Sequence, residues 1–326
     1  NVTERTYADL RITVAGCGRW GSFIAWYLNK IGHDVTLYGR PGSKSMENFI
    51  KTRKSELLEL PESVKLTQEL GDTLNSDVLV ISIASQALDG FSKQLAQNGF
   101  SRGNVVLCMK GIEISTGRRL SQIISDNLPD SRCAVWLGPG HVQEFLSGIP
   151  NCMVIDSLDE EFKHMLVDGF SGNLIRFYYG TDLIGNEIGA AAKNVIGIAA
   201  GMLDALKLGT LKGALMSRGT REIARFIKAS GGNELSAYGL CHLGDYEATV
   251  FSPYSHNRMF GEKFVKNEPY DSLAEGYYTV KALVNRAEKL GVELPICRAV
   301  YDTLYLGKDT AQSLDALFSR SIKKEF

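Results

Sequence analysis

Along the first half of the chain, short apolar runs rich in β-branched residues alternate with stretches whose apolar positions recur every three or four residues. The runs at 11–15, 34–38, 64–67, 77–83, 104–109 and 132–137 read as strands, and 20–31, 86–98 and 117–127 read as helices. A run such as Val78-Leu79-Val80-Ile81 is apolar at every position, which predicts a parallel sheet covered on both faces. A strand at 152–155, a helix at 158–169 and a strand at 173–178 complete the set. Beyond Tyr179 strand signals nearly vanish, and long helical patterns follow at 183–207, 213–230, 274–290 and 295–305. The expected fold class is α/β plus all-α. A parallel-sheet domain spans residues 1–180 and a helical domain, carrying substrate and catalytic groups, spans 181–326.

The first strand runs into Gly16-Cys17-Gly18-Arg19-Trp20-Gly21, a GxGxxG that opens a helix. In that setting Gly16 makes the tight turn, Gly18 lets the backbone approach a pyrophosphate, and Gly21 lets the helix lie close on the strand. The free N–H groups of the helix N-terminus then face the phosphates. This makes the first domain a Rossmann-type dinucleotide-binding domain. The second strand ends in Gly39-Arg40-Pro41-Gly42-Ser43-Lys44, with no acidic residue before Glu47 to hold a ribose 2′-hydroxyl. Arg40, with Ser43 and Lys44, favours a 2′-phosphate, so NADP is the expected cofactor and NAD the alternative.

Lys193 interrupts Gly189-Ala190-Ala191-Ala192-Lys193-Asn194-Val195-Ile196-Gly197 on a helix that should be buried. Positions 185, 189, 193, 197 and 201 are glycine except for this lysine, and four-residue spacing lines them up in one stripe. A glycine inside a helix costs about 1 kcal/mol relative to alanine, so four of them imply close approach of backbone or ligand. A lysine in so dry a setting has a lowered pKa, which suits a general acid or base. Lys110, just past the strand 104–109, would lower it further. Asp245, Thr249, Asn257 and Arg258 could line a polar pocket, with Ser252 to Arg258 read as a polar turn.

Composition narrows the function classes. The 326 residues are 44% hydrophobic and 22% charged, an ordinary globular balance. With 36 Lys and Arg against 37 Asp and Glu the net charge is −1, so neither nucleic acid nor a membrane surface is an expected partner. The six cysteines contain no CxxC pair and sit mostly in apolar runs, which predicts free buried thiols and a cytoplasmic protein. The longest mostly apolar stretch, 188–203, is 16 residues, short of the ~20 that span a bilayer. No metal is expected, since no His, Cys and Asp cluster has zinc spacing.

Taken together, Gly16-x-Gly18-x-Trp20-Gly21, Lys110-Gly111, Gly138-Pro139, Ala192-Lys193-Asn194, Arg218-Gly219, Gly244-Asp245, Asn257-Arg258 and Glu275-Gly276 resemble the NAD(P)-dependent glycerol-3-phosphate dehydrogenase family. The resemblance runs from about residue 11 to residue 305. It implies interconversion of dihydroxyacetone phosphate and sn-glycerol 3-phosphate, usually in the cytosol and often by a homodimer. By position, Lys193 resembles the family's proton donor and acceptor, Lys110 its electrostatic helper, and Asp245 the group that orients the lysine. Gly138, Gly140, Asn194, Thr249, Ser255, His256 and Asn257, with Lys110, match substrate-binding positions. Gly16, Gly18, Arg19, Trp20, Gly21, Arg40, Lys110, Val142, His256 and Glu275 match cofactor-binding ones.

Three positions depart from the family pattern. Gly140 stands where a Ser or Thr is usual, His256 where an Arg grips phosphate, and Arg19 where a Ser or Asn is common. Two alternatives therefore accompany the leading reading. One is a diverged paralogue reducing another small phosphorylated ketone; the other is a non-catalytic NADP(H)-binding sensor.

Overall fold

A computed structural model of the chain describes residue 7, residues 9–318 and residues 324–325. They fall into two compact units. The first comprises the described residues through Met109 together with Arg119–Leu183. The second comprises Lys110–Arg118 together with the described residues from Ile184 onward. The short segment after residue 109 thus groups with the helical part, a discontinuity absent from the continuous division at residue 180.

The first unit is an eight-stranded sheet. Its strands are β1 (Arg11–Ala15), β2 (Asp34–Tyr38), β3 (Lys65–Thr67), β4 (Val78–Ile81), β5 (Asn104–Leu107), β6 (Arg132–Leu137), β7 (Asn151–Ser157) and β8 (Ile175–Tyr179). They lie in the order β3-β2-β1-β4-β5-β6-β7-β8, every neighbouring pair parallel except β6 and β7. The central strand β4 is buried at every position, as its all-apolar run requires of a sheet covered on both faces, and its neighbours β1 and β5 are buried after their first residue. Around the sheet pack α1 (Arg19–Lys30), α2 (Lys44–Thr52), α3 (Leu88–Gln97), α4 (Leu120–Asn127), α5 (Val142–Leu146) and α6 (Glu160–Phe170). Strand order reverses direction at β1, so the chain after β1 sits at the switch point where open α/β sheets bind ligands.

The second unit is helical. Its longest element is α7 (Leu183–Ala205), followed by α8 (Lys212–Ala229), α9 (His256–Val265), α10 (Glu275–Leu290), α11 (Pro295–Leu306) and α12 (Thr310–Phe318). The core gathers Ile188, Ala192, Val195 and Ile196 of α7 with Ile223 and Phe226 of α8 and Val280 and Leu283 of α10. At 23 residues α7 is longer than the apolar stretch expected, and it is apolar enough to cross a bilayer. However, 89% of its most apolar 18-residue window is buried in the protein, as in a core helix.

Two corrections concern local structure. Residues 252–258 are not simply a polar turn. Ser255 caps α9 by accepting the Arg258 N–H at 3.3 Å, and His256 to Arg258 form the first turn of that helix. The helix expected from residue 117 starts at Leu120, because Glu113 and Arg118 close the preceding segment on itself. The helices α2, α5, α9 and α12 also lie outside the helical patterns read from the sequence, being short or weakly periodic. All six cysteines are free thiols; Cys133 and Cys152 are half-buried and the other four buried.

Candidate active site

In the second unit the α7 glycines do what their spacing implied. A Cβ on Gly201 would overlap the carbonyl oxygen of Arg258 on α9, and one on Gly261 of α9 would overlap the carbonyl of Ile198. The two helices therefore meet backbone to backbone, which only glycine allows. A Cβ on Gly197 would come within 2.8 Å of the Thr249 methyl and 3.3 Å of the Asn257 Cβ. One on Gly276 would come within 2.8 Å of the Asn194 carbonyl. Stripping side chains from this stripe draws the segments carrying Thr249 and Asn257 onto the turn that carries Lys193.

Lys193 is 6% exposed and Asp245 1%. The Lys193 ammonium forms an ion pair with Asp245 Oδ2 and donates to Thr249 Oγ1 at 3.0 Å. Lys110 Nζ donates to the same Asp245 oxygen at 2.9 Å. Thr249 lies in a π-helical turn, Glu247–Phe251, and its hydroxyl donates to the Asp245 carbonyl at 2.8 Å. Asn194 Nδ2 donates to the Lys110 carbonyl at 2.8 Å, fixing the backbone of the second lysine. One carboxylate thus holds two cations, and an amide and a hydroxyl steady the frame.

Burial pushes the Lys193 pKa down to about 8, with Lys110 adding to the depression and Asp245 opposing it. Burial alone would raise the Asp245 carboxyl, but the two ammonium groups outweigh it and hold it below the ordinary carboxylate range. Lys193 can therefore exchange a proton near neutrality while Asp245 stays ionised.

The other positions matched in this unit have structural partners. His256 Nδ1 lies 2.6 Å from the Tyr270 hydroxyl. Asn257 Oδ1 accepts the Gly276 N–H at 2.9 Å, tying α9 to the start of α10, where Glu275 occupies the first turn. Arg258 is committed elsewhere. Its guanidinium donates to Asp204, Glu262 and the Ser252 carbonyl.

The nucleotide loop of the first unit has the geometry that a dinucleotide needs. Gly16 has φ +110°, and a Cβ there would overlap the Ser82 carbonyl after β4. A Cβ on Gly21 would overlap the Gly16 carbonyl. Above Gly18 there is open space, and α1 begins with no side-chain cap on its N–H groups. The loop is a bare cradle at a helix N-terminus, which fits a pyrophosphate. At the end of β2, a side chain on Gly39 would run into Met46 and Cys17 Sγ, so an acidic residue cannot stand there. Arg40 beside it is exposed. Ser43 caps α2 and lies 3.3 Å from Cys17 Sγ, linking that helix to the glycine loop.

Trp20 packs on Phe23 with ring centroids 5.2 Å apart, Val142 starts α5, and Arg19 is exposed. Gly138 and Gly140 have φ +120° and +143°, and a Cβ on Gly140 would strike the Phe145 ring. A side chain at 140 therefore has no room beside the Phe145 ring as it stands.

One buried feature escaped the sequence reading. His242 and Tyr246, four residues apart and flanking Asp245, are hydrogen-bonded at 2.6 Å. Their spacing around Gly244-Asp245 was the available signal.

Residues 11–163 match the family model described as NAD-dependent glycerol-3-phosphate dehydrogenase N-terminus, and residues 182–315 match the corresponding C-terminus. A glycerol-3-phosphate dehydrogenase (NAD(P)+) of Thermoanaerobacter sp. is 32% identical, with 97% of this chain and 99% of the relative covered. One of Fusobacterium nucleatum is 34% identical over 97% and 98%. Among solved structures, glycerol-3-phosphate dehydrogenase from Coxiella burnetii superposes with a TM-score of 0.89. It is 26% identical, with 96% of this chain and 99% of that one covered.

Proposed function

The chain belongs to the NAD-dependent glycerol-3-phosphate dehydrogenase family, and we propose that it interconverts dihydroxyacetone phosphate and sn-glycerol 3-phosphate with Lys193 as the proton-transfer group. It is an NAD(P)-dependent oxidoreductase. The reading rests on one carboxylate, Asp245, shared in a buried site by Lys193 and Lys110. When bound, the nicotinamide supplies a hydride to the carbonyl carbon of the ketone. Lys193 delivers its proton to the C2 oxygen and is left as the neutral amine; in the reverse direction that amine takes the hydroxyl proton. Lys110 adds a second positive charge where the oxygen becomes negative, in surroundings where charges act strongly. Asp245 favours the protonated form of Lys193, and Thr249 holds the ammonium in line. Asn194 and Asn257 fit substrate contacts, and a pKa of about 8 lets the lysine serve in both directions.

NADP is the favoured cofactor, supported by Arg40 and by the exclusion of an acidic side chain at Gly39. Family resemblance supports a cytoplasmic homodimer, which sedimentation of the purified protein tests. A second reading has an observation of its own. His256 is engaged by Tyr270 and Arg258 by carboxylates, which weakens the grip on phosphate that a free guanidinium would give. This favours a paralogue reducing another small phosphorylated ketone.

Initial rates of NADPH and NADH oxidation with dihydroxyacetone phosphate, against a panel of phosphorylated ketones, separate the two. Lys193→Ala should abolish turnover and leave NADPH affinity nearly intact. Normal turnover by that variant removes the acid/base role.

A further inference from the structure

Behind the ion pairs lies a second, neutral hydrogen-bond chain. The ring of His242 is fully buried. Its Nδ1 lies 2.7 Å from the carbonyl oxygen of Gly189, which can only accept, so Nδ1 carries the proton. Nε2 is then the acceptor and takes the hydrogen of the Tyr246 hydroxyl at 2.6 Å. Thr220 Oγ1 of α8 lies 3.2 Å from that hydroxyl. Gly189 is the residue four before Lys193, so in the helical register its carbonyl also accepts the backbone N–H of Lys193. The imidazole therefore grips the turn from which Lys193 projects. It comes this close because Gly189 has no side chain: a Cβ there would lie 3.1 Å from His242 Cβ. The backbone of the same histidine reaches the other half of the site, since its carbonyl accepts the Asp245 N–H at 3.0 Å.

We infer that His242 is a positioning residue: held by Tyr246, it braces the Lys193 turn of α7 and the Asp245 turn as one piece. The inference rests on the reading of Lys193 as the proton-transfer group. Three observations support a fixed, neutral brace. Burial pushes the His242 pKa down to about 4, so the ring stays uncharged beside the two ammonium groups. Burial raises the Tyr246 hydroxyl above its ordinary value, which keeps the proton that Nε2 needs. Neither residue touches Lys193 Nζ, whose facing groups are Asp245, Lys110 and Thr249. The charged or titratable groups felt by the brace itself are Lys193 and Asp245 on one side, and Glu222 and Cys297 near Tyr246 on the other.

The pH dependence of acetic anhydride labelling at Lys193, read by peptide mass spectrometry on the full chain, tests this without a substrate. In the parent protein the inflection should fall near 8. In His242→Ala the vacated space admits water and relieves the burial that depresses the lysine, so the inflection should rise by about one pH unit. His242→Asn, whose amide N–H can still reach the Gly189 carbonyl, should restore it. Tyr246→Phe, which leaves Nε2 without its donor, should fall between. The kcat profile for ketone reduction should move with the labelling, with kcat down about tenfold in His242→Ala and the KM for NADPH unchanged. A folded His242→Ala whose labelling inflection stays put overturns the inference, as does a loss of kcat equal at every pH that His242→Asn fails to repair. If His242→Ala does not fold, Tyr246→Phe decides by the same inflection. Normal turnover by Lys193→Ala would instead refute the proton-transfer reading and leave the labelling result standing.

Discussion

Asp245→Asn probes the charge balance of the site with little change of shape. In the parent protein Lys193 titrates near 8, so at pH 7 about nine-tenths of it is protonated and ready to act as an acid. Burial and the Lys110 charge both lower that pKa; Asp245 opposes them. An opposite charge within hydrogen-bond range shifts a neighbour by about 1–3 pH units, so removing the Asp245 charge should bring Lys193 to about 6. That displacement corresponds to about 3 kcal/mol. At pH 7 only about one-tenth of the lysine would then carry its proton. Ketone reduction should fall about tenfold there and recover as the pH is lowered through 6. Oxidation of the alcohol, which needs the neutral amine, should not fall there, because the neutral fraction at pH 7 rises from about one-tenth to about nine-tenths. The assay is kcat for both directions between pH 5 and 9, with Lys193 labelling over the same range. An inflection that stays near 8 or moves upward would refute the claim that Asp245 holds the proton on Lys193.

Three further outcomes are expected. Arg40→Ala should raise the KM for NADPH about tenfold or more and leave that for NADH nearly unchanged, because a guanidinium–phosphate contact contributes roughly 1.5–3 kcal/mol; equal effects on both cofactors would place Arg40 outside the 2′-phosphate site. Gly201→Ala gains about 1 kcal/mol of helix propensity but forces α7 off the Arg258 carbonyl, at a cost of roughly 1–3 kcal/mol or more, so a lower urea midpoint is expected and a higher one would show that the close helix contact is dispensable. His256→Arg should lower the KM for dihydroxyacetone phosphate, and an unchanged KM would mean that another group holds the phosphate.

How much of this was legible in the sequence varies with the kind of pattern involved. The strands β1, β2 and β6 stand at the bounds read from the chain, because short β-branched and apolar stretches bounded by polar or glycine residues mark strands that are mostly buried. The glycine stripe of α7 was equally plain, since a four-residue period in a helix can be counted. The antiparallel pairing of β6 with β7 was hidden, because pairing direction is set by how the chain returns to the sheet. The start of α9 was hidden as well: Ser255 and His256 read as turn residues until the capping geometry is seen.

Local chemistry alone determined the glycine loop and the lysine within a small-residue helix, because each is written in contiguous residues or a short period. Only the tertiary structure decided which groups share a site. Lys110, Lys193 and Asp245 are far apart in the chain, and their meeting depends on helices that approach where glycines leave no side chains. The pKa of Lys193 follows from that meeting, since burial and neighbouring charge are properties of the packed site. The same holds for His242, an unremarkable residue in the sequence, which acquires its place through a carbonyl 53 positions away.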